Sequence, residues 1–329
     1  MHAPEFWQRD GAAARLLDPI GRAYGFAGRL RRRLTRSRRA PVPVLCVGNL
    51  TAGGTGKTPL VILLARRLAD MGRKPHVLTR GYGGRERGPL RVDPAAHDAR
   101  AVGDEALLLA AVAPTWVGAD RRRSAEAAVA AGADVLVMDD GFQNPALHQD
   151  LALVVVDGEL GFGNRRLLPA GPLREPLGRG LRRADGIVIV GEDRTGAAAR
   201  LGSALPCLRA RLRAAASARD LIGRRALAFA GIGRPGKFYQ TLEELGVEVV
   251  ERRDFADHHR YRRRQLLDLL ARAGTLRAFA VTTAKDLVRI PPGLRYRFRA
   301  VEVELVIEQP AVLDGLLAPR LGSRAITSS

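Results

Sequence analysis

The stretch "NLTAGGTGKTPL" at residues 49–60 decides the fold. It contains Gly56-Lys57-Thr58, the end of a phosphate-binding loop of the form G-x-x-x-x-G-K-[ST], but Thr51 stands where the first glycine of that loop belongs. An apolar run at 43–48 precedes the stretch, and a run with helical periodicity follows it at 59–72. Strand, glycine-rich turn and helix in this order are the setting that such a loop requires, so the sequence predicts a nucleotide site in a P-loop domain.

The predicted nucleotide site consists of loop backbone and two side chains. Backbone N–H groups at the start of a helix bind phosphate oxygens, because these donors have no partner within the helix and the helix dipole favours anions. Lys57 is expected to neutralise the charge that develops on the transferred phosphate, and the Thr58 hydroxyl is expected to bind Mg²⁺. The residues expected to contact the nucleotide are Thr51, Ala52, Gly53, Gly54, Thr55, Gly56, Lys57 and Thr58.

A second motif, "VLVMDDGFQ" at 135–143, supplies the carboxylates that a P-loop needs for its metal. Asp139 and Asp140 follow an apolar strand, which is the position of a Walker B acid. Asp139 is expected to hold Mg²⁺, directly or through water, and Asp140 to assist the reaction; the alternative interpretation is an acidic turn after a buried strand. The segment "GDEALLL" at 103–109 places Asp104 and Glu105 at the start of a helix, and taken alone it is also compatible with N-terminal capping.

Short apolar runs alternate with stretches of helical periodicity through most of the chain, which predicts an α/β fold with parallel sheets. A basic stretch at 210–225 is expected to separate a P-loop domain at 40–212 from a smaller α/β domain at 222–329. We expect the active site in the cleft between these domains, and we expect the cleft to close on nucleotide binding. The expected strands lie at 43–49, 74–81, 134–141, 151–158, 186–191, 226–232, 279–286 and 298–307.

Composition limits the classes of protein to which the chain can belong. The 329 residues are 46% hydrophobic, and no uncharged run reaches the roughly 18 to 20 residues that a membrane-spanning helix needs. Cys46 and Cys207 have no paired spacing, which favours a reducing cytoplasm over a disulfide scaffold. The net charge of +20 comes mostly from arginine, since only four of the 54 basic residues are lysine. Without a zinc spacing or an RNA-binding motif beside it, this charge favours an anionic membrane surface or substrate over nucleic acid.

The pattern of apolar and basic residues within 1–39 predicts a basic amphipathic helix that associates with a membrane. Basic residues near an anionic leaflet each contribute about 1 kcal/mol, so the seven arginines at 29–39 are expected to hold the chain on such a surface. The alternative is a helix packed on the P-loop domain with its arginines in water. The apolar side chains that fall within one stripe of the helical wheel are Leu16, Ile20, Ala23, Tyr24, Ala27, Leu30 and Leu34.

Eight motifs in order, across about residues 12 to 290, resemble the tetraacyldisaccharide 4'-kinase family, the lipid A 4'-kinases. The loop of that family resembles the present one in lacking the first Walker A glycine, which accounts for Thr51. The motifs are "VGNLTAGGTGKTP", "LTRGYGG", "VGDEALLLA", "MDDGFQN", "LLPAGPLREP", "AGIGRPGKFYQTL", "DFADHHRY" and "TTAKDLVRI".

The resemblance implies transfer of the ATP γ-phosphate, with Mg²⁺, to the 4'-hydroxyl of an acylated glucosamine disaccharide 1-phosphate in lipid A biosynthesis, at the cytoplasmic face of the bacterial inner membrane. It also implies a catalytic pair in which His258 orients Asp104 and raises its basicity while Asp104 takes the proton of the sugar hydroxyl. His259 is the neighbouring histidine with which His258 is most easily confused. Glu175 is implied as a further acid near Mg²⁺.

Two other classes of P-loop protein fit the sequence less well. A partitioning or targeting ATPase with a deviant Walker A motif would carry its signature lysine at the position of Ala52. A GTPase would need an N-K-x-D motif, whereas "TTAKDL" at 282–287 places Lys285 directly before Asp286. We therefore expect a lipid kinase, with the partitioning ATPase as the alternative function.

Overall fold

Two sheets organise the chain, and the strand that leads into the phosphate loop lies inside the larger one. The computed structural model describes residues 4–201 and 205–322. The strands of the larger sheet are β1 (Val44–Gly48), β2 (Pro75–Thr79), β3 (Leu90–Arg91), β4 (Thr115–Val117), β5 (Val135–Asp139), β6 (Leu151–Asp157), β7 (Gly186–Val190), β8 (Cys207–Ala214) and β13 (Val303–Ile307). Those of the smaller sheet are β9 (Arg225–Ala230), β10 (Glu248–Asp254), β11 (Phe279–Thr283) and β12 (Arg299–Val301).

Helices cover both sheets, and the alternation of strand and helix confirms the predicted α/β P-loop fold class. The strand orders are β13-β8-β7-β6-β1-β5-β2-β4-β3 and β10-β9-β11-β12, with antiparallel pairing only at the two ends of the larger sheet. The helices are α1 (Ala12–Leu34), α2 (Lys57–Asp70), α3 (Ala99–Val102), α4 (Asp104–Ala110), α5 (Arg121–Ala130), α6 (Leu177–Leu181), α7 (Ala197–Leu201), α8 (Pro235–Glu244), α9 (Arg263–Thr275), α10 (Ala284–Leu287), α11 (Pro292–Arg295) and α12 (Pro310–Leu321), with short 3₁₀ turns at Glu5–Gln8 and Ala216–Leu221.

The core forms around β1, because this strand is apolar along its whole length and is buried on both faces. It pairs in parallel with β5 on one side and with β6 on the other. Leu60, Leu64 and Leu68 of α2 are fully buried against one face of the sheet. The helix that follows the phosphate loop is therefore fixed to the same core as the strand that precedes it.

Gly48 ends β1 at a point where the motif that carries Asp139 and Asp140 passes very close. A Cβ added to Gly48 would lie 2.4 Å from the Cβ of Phe142, which is fully buried. We expect Gly48→Ala to lower the free energy of unfolding by about 1–3 kcal/mol, because neither the new methyl group nor Phe142 can move without displacing the core. Urea unfolding would measure this effect, with Gly236→Ala in α8 as the control, since a Cβ there meets nothing within 4 Å. Equal stability of the two variants would contradict the close packing.

The C-terminal part of the chain differs from the prediction, because the expected strand at 298–307 is two strands in different sheets. β12 pairs with β11 in the smaller sheet, and β13 pairs antiparallel with β8 in the larger sheet. α12 then packs on the core of the larger sheet through Leu313, Leu317 and Leu321. The predicted extent of the smaller domain, 222–329, is therefore wrong at its C-terminal end, where residues 303–321 return to the larger sheet.

The predicted boundary at 210–225 is also displaced, since β8 occupies Cys207–Ala214. Its arginines alternate with apolar residues at a period of two, which is a strand pattern that the high basic content obscures. We call residues 216–301 the smaller unit and the rest of the described chain the larger unit. Residues 1–3, 202–204 and 323–329, which belong to the predicted ranges 1–39, 40–212 and 222–329, lie outside the described residues.

Candidate active site

The phosphate loop joins β1 to α2 and leaves its glycine backbone accessible. Gly53 has a φ of +119° and Gly56 a φ of +88°, both in the region that favours glycine. A Cβ on Gly53 or Gly54 would meet nothing within 4 Å, so there is room for a ligand beside the loop. The buried Asn49 donates to the Gly53 carbonyl at 3.4 Å and to Thr55 Oγ1 at 3.3 Å, which holds the loop from inside.

Thr51 is compatible with this loop because its backbone contacts do not require a glycine. Thr51 forms an antiparallel bridge with Leu173, and the adjacent Ala52 N–H donates to the Pro172 carbonyl at 2.7 Å. Among the described residues, Thr51 is not one of the non-glycine residues that have a positive φ. The segment around Pro172 thus supports the loop at the position where the first Walker A glycine is absent.

Asp139 ends β5 and carries a buried carboxylate that lacks a complete set of partners. Thr79 Oγ1 donates to its Oδ2 at 3.4 Å, whereas its Oδ1 has no hydrogen-bond partner within the described residues. Burial raises the pKa of Asp139 to about 7, and the negative charge of Glu105 adds to this effect while Lys57 opposes it. A bound cation would stabilise the charged form of this group, so Asp139 fits the expected role of a metal ligand.

Asp140 is held between two cations. Its Oδ1 lies 3.7 Å from Lys57 Nζ, and Arg174 Nη1 donates to both of its oxygens at 2.9 and 3.0 Å. Burial acts to raise the pKa of Asp140, but the charges of Lys57 and Arg174 outweigh it and hold the pKa below its usual value. The structure thus brings the predicted residues Lys57 and Asp140 together, and it adds Arg174, which the sequence analysis did not single out.

Asp104 and His258 meet across the cleft between the two units. Asp104 begins α4 in the larger unit and is 4% exposed, whereas His258 lies between β10 and α9 in the smaller unit. The distance from His258 Nδ1 to Asp104 Oδ2 is 3.2 Å. His258 has a φ of +58°, and its N–H donates to the Gly231 carbonyl at 3.0 Å, so the backbone is held in an uncommon conformation that presents the ring to Asp104.

The neighbouring His259 has a packing environment. Its ring stacks on Phe255 with a centroid distance of 4.7 Å and lies edge-on to Tyr261. Its Nε2 is 3.3 Å from Gln265 Oε1. Of the two histidines, it is therefore His258 that contacts Asp104.

Glu175 lies apart from the other predicted site residues. Arg183 Nη2 donates to its two oxygens at 2.7 and 2.6 Å, and Gln143 Nε2 donates to Oε1 at 3.1 Å. Its side chain is buried and does not line the cleft. No group of three histidine, cysteine or acidic side chains within residues 4–201 and 205–322 is arranged to hold a metal ion, so the expected metal role of Glu175 stays a prediction.

All the other predicted site residues line one cleft of about 2560 Å³ between the units. The phosphate loop, Asp139 and Asp140 lie on the larger unit, and His258 reaches the same space from the smaller unit. Arg289 also lines the cleft and contacts Asp104, although the sequence analysis quoted its motif without assigning it a role. The arrangement can bind a phosphate chain at the loop and hold a proton acceptor, the Asp104–His258 pair, in the same cleft.

A sequence model of the family described as tetraacyldisaccharide-1-P 4'-kinase matches residues 13–321, nearly the whole described chain. The chain belongs to this family. Its resemblance to the 4'-kinases, inferred from the eight motifs, is thereby confirmed.

Relatives and a solved structure place the chain within the 4'-kinase family over its full length. The tetraacyldisaccharide 4'-kinase of Rhodospirillum centenum is 54% identical over 98% of this chain and 98% of its own. That of Gluconacetobacter diazotrophicus is 56% identical over 96% of this chain and 97% of its own. LpxK from Aquifex aeolicus, whose crystal structure is described as an "apo" form in complex with ATP, is 27% identical, with a TM-score of 0.75 over 94% of this chain and 99% of its own.

Membership of the 4'-kinase family confirms the predicted enzyme class, an ATP-dependent kinase of lipid A biosynthesis, over the alternative of a partitioning ATPase. Within the described ranges, 4–201 and 205–322, the structure has no helix long and apolar enough to cross a membrane. The roles of the individual site residues remain predictions.

Proposed function

We propose that this chain transfers the γ-phosphate of ATP to the 4'-hydroxyl of a tetraacylated glucosamine disaccharide 1-phosphate in the cleft between its two units. One observation carries the proposal: a phosphate loop with Lys57 and an Asp104–His258 pair line the same cleft. The loop suits the donor nucleotide, and the pair suits a hydroxyl that must lose its proton. The acceptor follows from the family to which the chain belongs.

Donor binding falls to the phosphate loop and the start of α2. Backbone N–H groups of Gly53 to Gly56 are expected to donate to β- and γ-phosphate oxygens, with the N-terminus of α2 directed at the anion. Lys57 adds positive charge where the transferred phosphate lies. Thr58 and Asp139 fit a divalent cation, because Asp139 is buried and its Oδ1 has no hydrogen-bond partner in the part of the chain that the structure describes. When bound, Mg²⁺ supplies charge that neutralises the phosphate oxygens, and a role for Glu175 beside it would require that this side chain leave Arg183.

Transfer forms a bond between the 4'-oxygen and the γ-phosphorus and breaks the bond between that phosphorus and the bridging β–γ oxygen, so that ADP leaves. The hydroxyl proton passes to the Asp104–His258 pair. Since these two residues belong to different units, the pair exists only when the units are in contact. This supports domain closure as a part of the catalytic cycle.

A transfer assay tests the proposed function. Purified chain, ATP, Mg²⁺ and disaccharide 1-phosphate lipid in mixed micelles should yield the 4'-phosphorylated lipid and ADP in equal amounts. A lipid that already carries a 4'-phosphate is the control acceptor and should give no product. ATP hydrolysis that proceeds equally with and without the acceptor lipid would instead support the partitioning ATPase and overturn the proposal.

We further propose that α1 lies in the interface of an anionic membrane, at the cytoplasmic face of the inner membrane, and brings the cleft to the headgroup of the acceptor. Small residues attach α1 to the larger unit: a Cβ on Gly21 or Gly25 would lie 3.0 or 2.5 Å from atoms of Leu167. The large apolar side chains remain outside, with Leu16 81% and Leu34 76% exposed. The same helix thus packs on the protein through one face and presents an apolar stripe flanked by arginines on another, which supports interfacial binding.

Removal of the exposed stripe tests this role without removing the helix. The variant Leu16→Ser, Ile20→Ser, Leu34→Ser should bind vesicles that contain phosphatidylglycerol at least about tenfold more weakly, because it loses apolar area that would be buried in the interface. The apparent KM for lipid acceptor should rise, and added salt should weaken the residual binding. Ile222→Ser with Tyr296→Ser is the matched control, since these apolar side chains are 54% and 82% exposed on the smaller unit. Equal, salt-insensitive vesicle binding by both variants would reject the role of α1.

A further inference from the structure

Arg289 is a buried arginine that the smaller unit holds in a fixed position. Its side chain is 6% exposed, and its Nη1 donates to the Gly231 carbonyl at 2.6 Å and to Asp286 Oδ1 at 3.0 Å. Asp286 is itself fully buried and accepts from the Gly231 N–H at 3.0 Å and from the Tyr261 hydroxyl at 2.9 Å. Since every one of these partners lies in the smaller unit, they fix the guanidinium before any contact with the larger unit is made.

The free side of this guanidinium crosses the cleft to Asp104. Arg289 Nε donates to Asp104 Oδ2 at 2.9 Å, and Nη2 contacts the same oxygen. That oxygen also faces His258 Nδ1, which lies 3.4 Å from Arg289 Nη2. The other oxygen of Asp104 accepts from the Glu105 N–H at 3.0 Å. Arg289 and His258 therefore converge on one atom of the larger unit.

We propose that Arg289 is a positioning residue of the 4'-kinase reaction, which fixes Asp104 as an anion against His258 when the two units meet. The inference rests on the proposed function. A buried carboxylate without a cation is costly, and a carboxylate that binds an arginine keeps its charge. Burial acts to raise the pKa of Asp104, but the hydrogen bond from His258 and the charges of Lys285 and Arg289 outweigh it and hold the pKa well below its usual range.

An anionic Asp104 determines which nitrogen of His258 carries a hydrogen. A carboxylate only accepts hydrogen bonds and an arginine only donates them, so the ring must donate to Asp104 through Nδ1. In the neutral ring Nε2 then carries no hydrogen and can only accept. Arg289 thus keeps Asp104 ionised, as a residue that takes a proton must be, and fixes the ring nitrogen through which His258 orients it.

Substitution of Arg289 tests the inference through rates and pH dependence. Arg289→Met should lower kcat about tenfold or more, because the acceptor pair loses its alignment, while KM for ATP changes by less than about threefold. The charged groups that face the pair are Lys285 and Glu105 beside Asp104 and Asp257 at 3.9 Å from His258 Nε2. With Arg289 absent, burial raises the pKa of Asp104, so the acid limb of the kcat profile should move to higher pH. Arg289→Lys keeps the charge and should return that limb toward its position in the unsubstituted chain.

Arg295→Met is the matched control, because Arg295 donates to the Val288 and Ile290 carbonyls at 2.8 and 2.7 Å but makes no contact with Asp104. It should leave the acid limb in place. A limb that stays in place in Arg289→Met, or the same loss of kcat in both methionine variants, would overturn the positioning role. If Arg289→Met does not fold, the Arg289→Lys variant decides. A kcat below that of the unsubstituted chain, with the acid limb of the pH profile in place, supports the inference, and an unchanged kcat overturns it.

A measurement without the lipid separates failure of this inference from failure of the proposed function. Thermal unfolding of Asp104→Asn, Arg289→Lys and the double variant should give a fall in Tm for the double variant that is smaller than the sum of the two single falls, since the residues share one contact. If this coupling is found but the chain does not phosphorylate the lipid, the proposed function is rejected while the contact between Arg289 and Asp104 is supported. Additive falls in Tm would overturn the inference even in an active enzyme.

Discussion

Lys57→Ala is expected to abolish phosphate transfer, with a loss in kcat of at least about 10²-fold. Lys57 is the first residue of α2, and its side chain is only 14% exposed at the point where the phosphate loop opens into the cleft. Its Nζ lies 3.7 Å from Asp140 Oδ1, so the ion pair holds the end of the side chain beside the place expected for the γ-phosphate. The charge of Lys57 stabilises the transition state more than the ground state. Its removal therefore raises the barrier to phosphate transfer.

The variant should still fold, because Lys57 packs in no hydrophobic cluster of the described residues. Thr58→Ala should lower kcat by a similar factor, and its activity should depend more steeply on Mg²⁺ concentration if the hydroxyl contacts the cation. Lys74→Ala, which removes an exposed lysine just before β2, is the control and should leave transfer unchanged. Transfer assays with circular dichroism would decide the matter, and near-normal turnover of Lys57→Ala would refute the P-loop assignment.

The predictions from sequence succeeded where one local segment determines the secondary structure. The stretch at 49–60 specifies a strand end, a glycine turn and a helix start, and the structure has β1 ending at Gly48 and α2 starting at Lys57. "VLVMDDGFQ" likewise fixes the end of β5 at Asp139. In both segments an apolar run forces burial and the following polar residues must lie at the edge of the sheet, so periodicity alone suffices.

The sequence was a poor guide to features that depend on contacts between distant segments of the chain. Nothing in the alternation at 298–307 shows that Val301 belongs to one sheet and Val303 to the other, because the division depends on the pairing of β13 with β8 some 90 residues away. Arg289 presents the same difficulty, since it lies in the turn after α10 but its contact with Asp104 spans 185 residues. Glu175 is a case that stays open: the family resemblance implied an acid near Mg²⁺, the structure pairs its side chain with Arg183, and its metal role stays a prediction.

Asp104→Ala is expected to lower kcat by at least about 10²-fold, the effect typical of a lost proton acceptor, with a much smaller change in the affinity for ATP. Asp104 is not part of the phosphate loop, although both lie on the larger unit, and its partners His258, Arg289 and Lys285 belong to the smaller unit. His258→Ala should share most of the loss, because either substitution breaks the same pair. Asp104→Asn keeps the shape of the side chain and should separate the loss of charge from the loss of packing.

The double variant Asp104→Ala, His258→Ala decides whether the two residues act as one unit. If the proton passes to a pair, removal of the second member costs little once the first is gone, so the combined loss in kcat should be far smaller than the product of the single losses. His259→Ala is the control within the same segment, since its ring packs on Phe255 and contacts Gln265 and it should affect Tm more than kcat. Multiplicative losses, or a greater loss of kcat in His259→Ala than in His258→Ala, would show that proton removal does not depend on the pair.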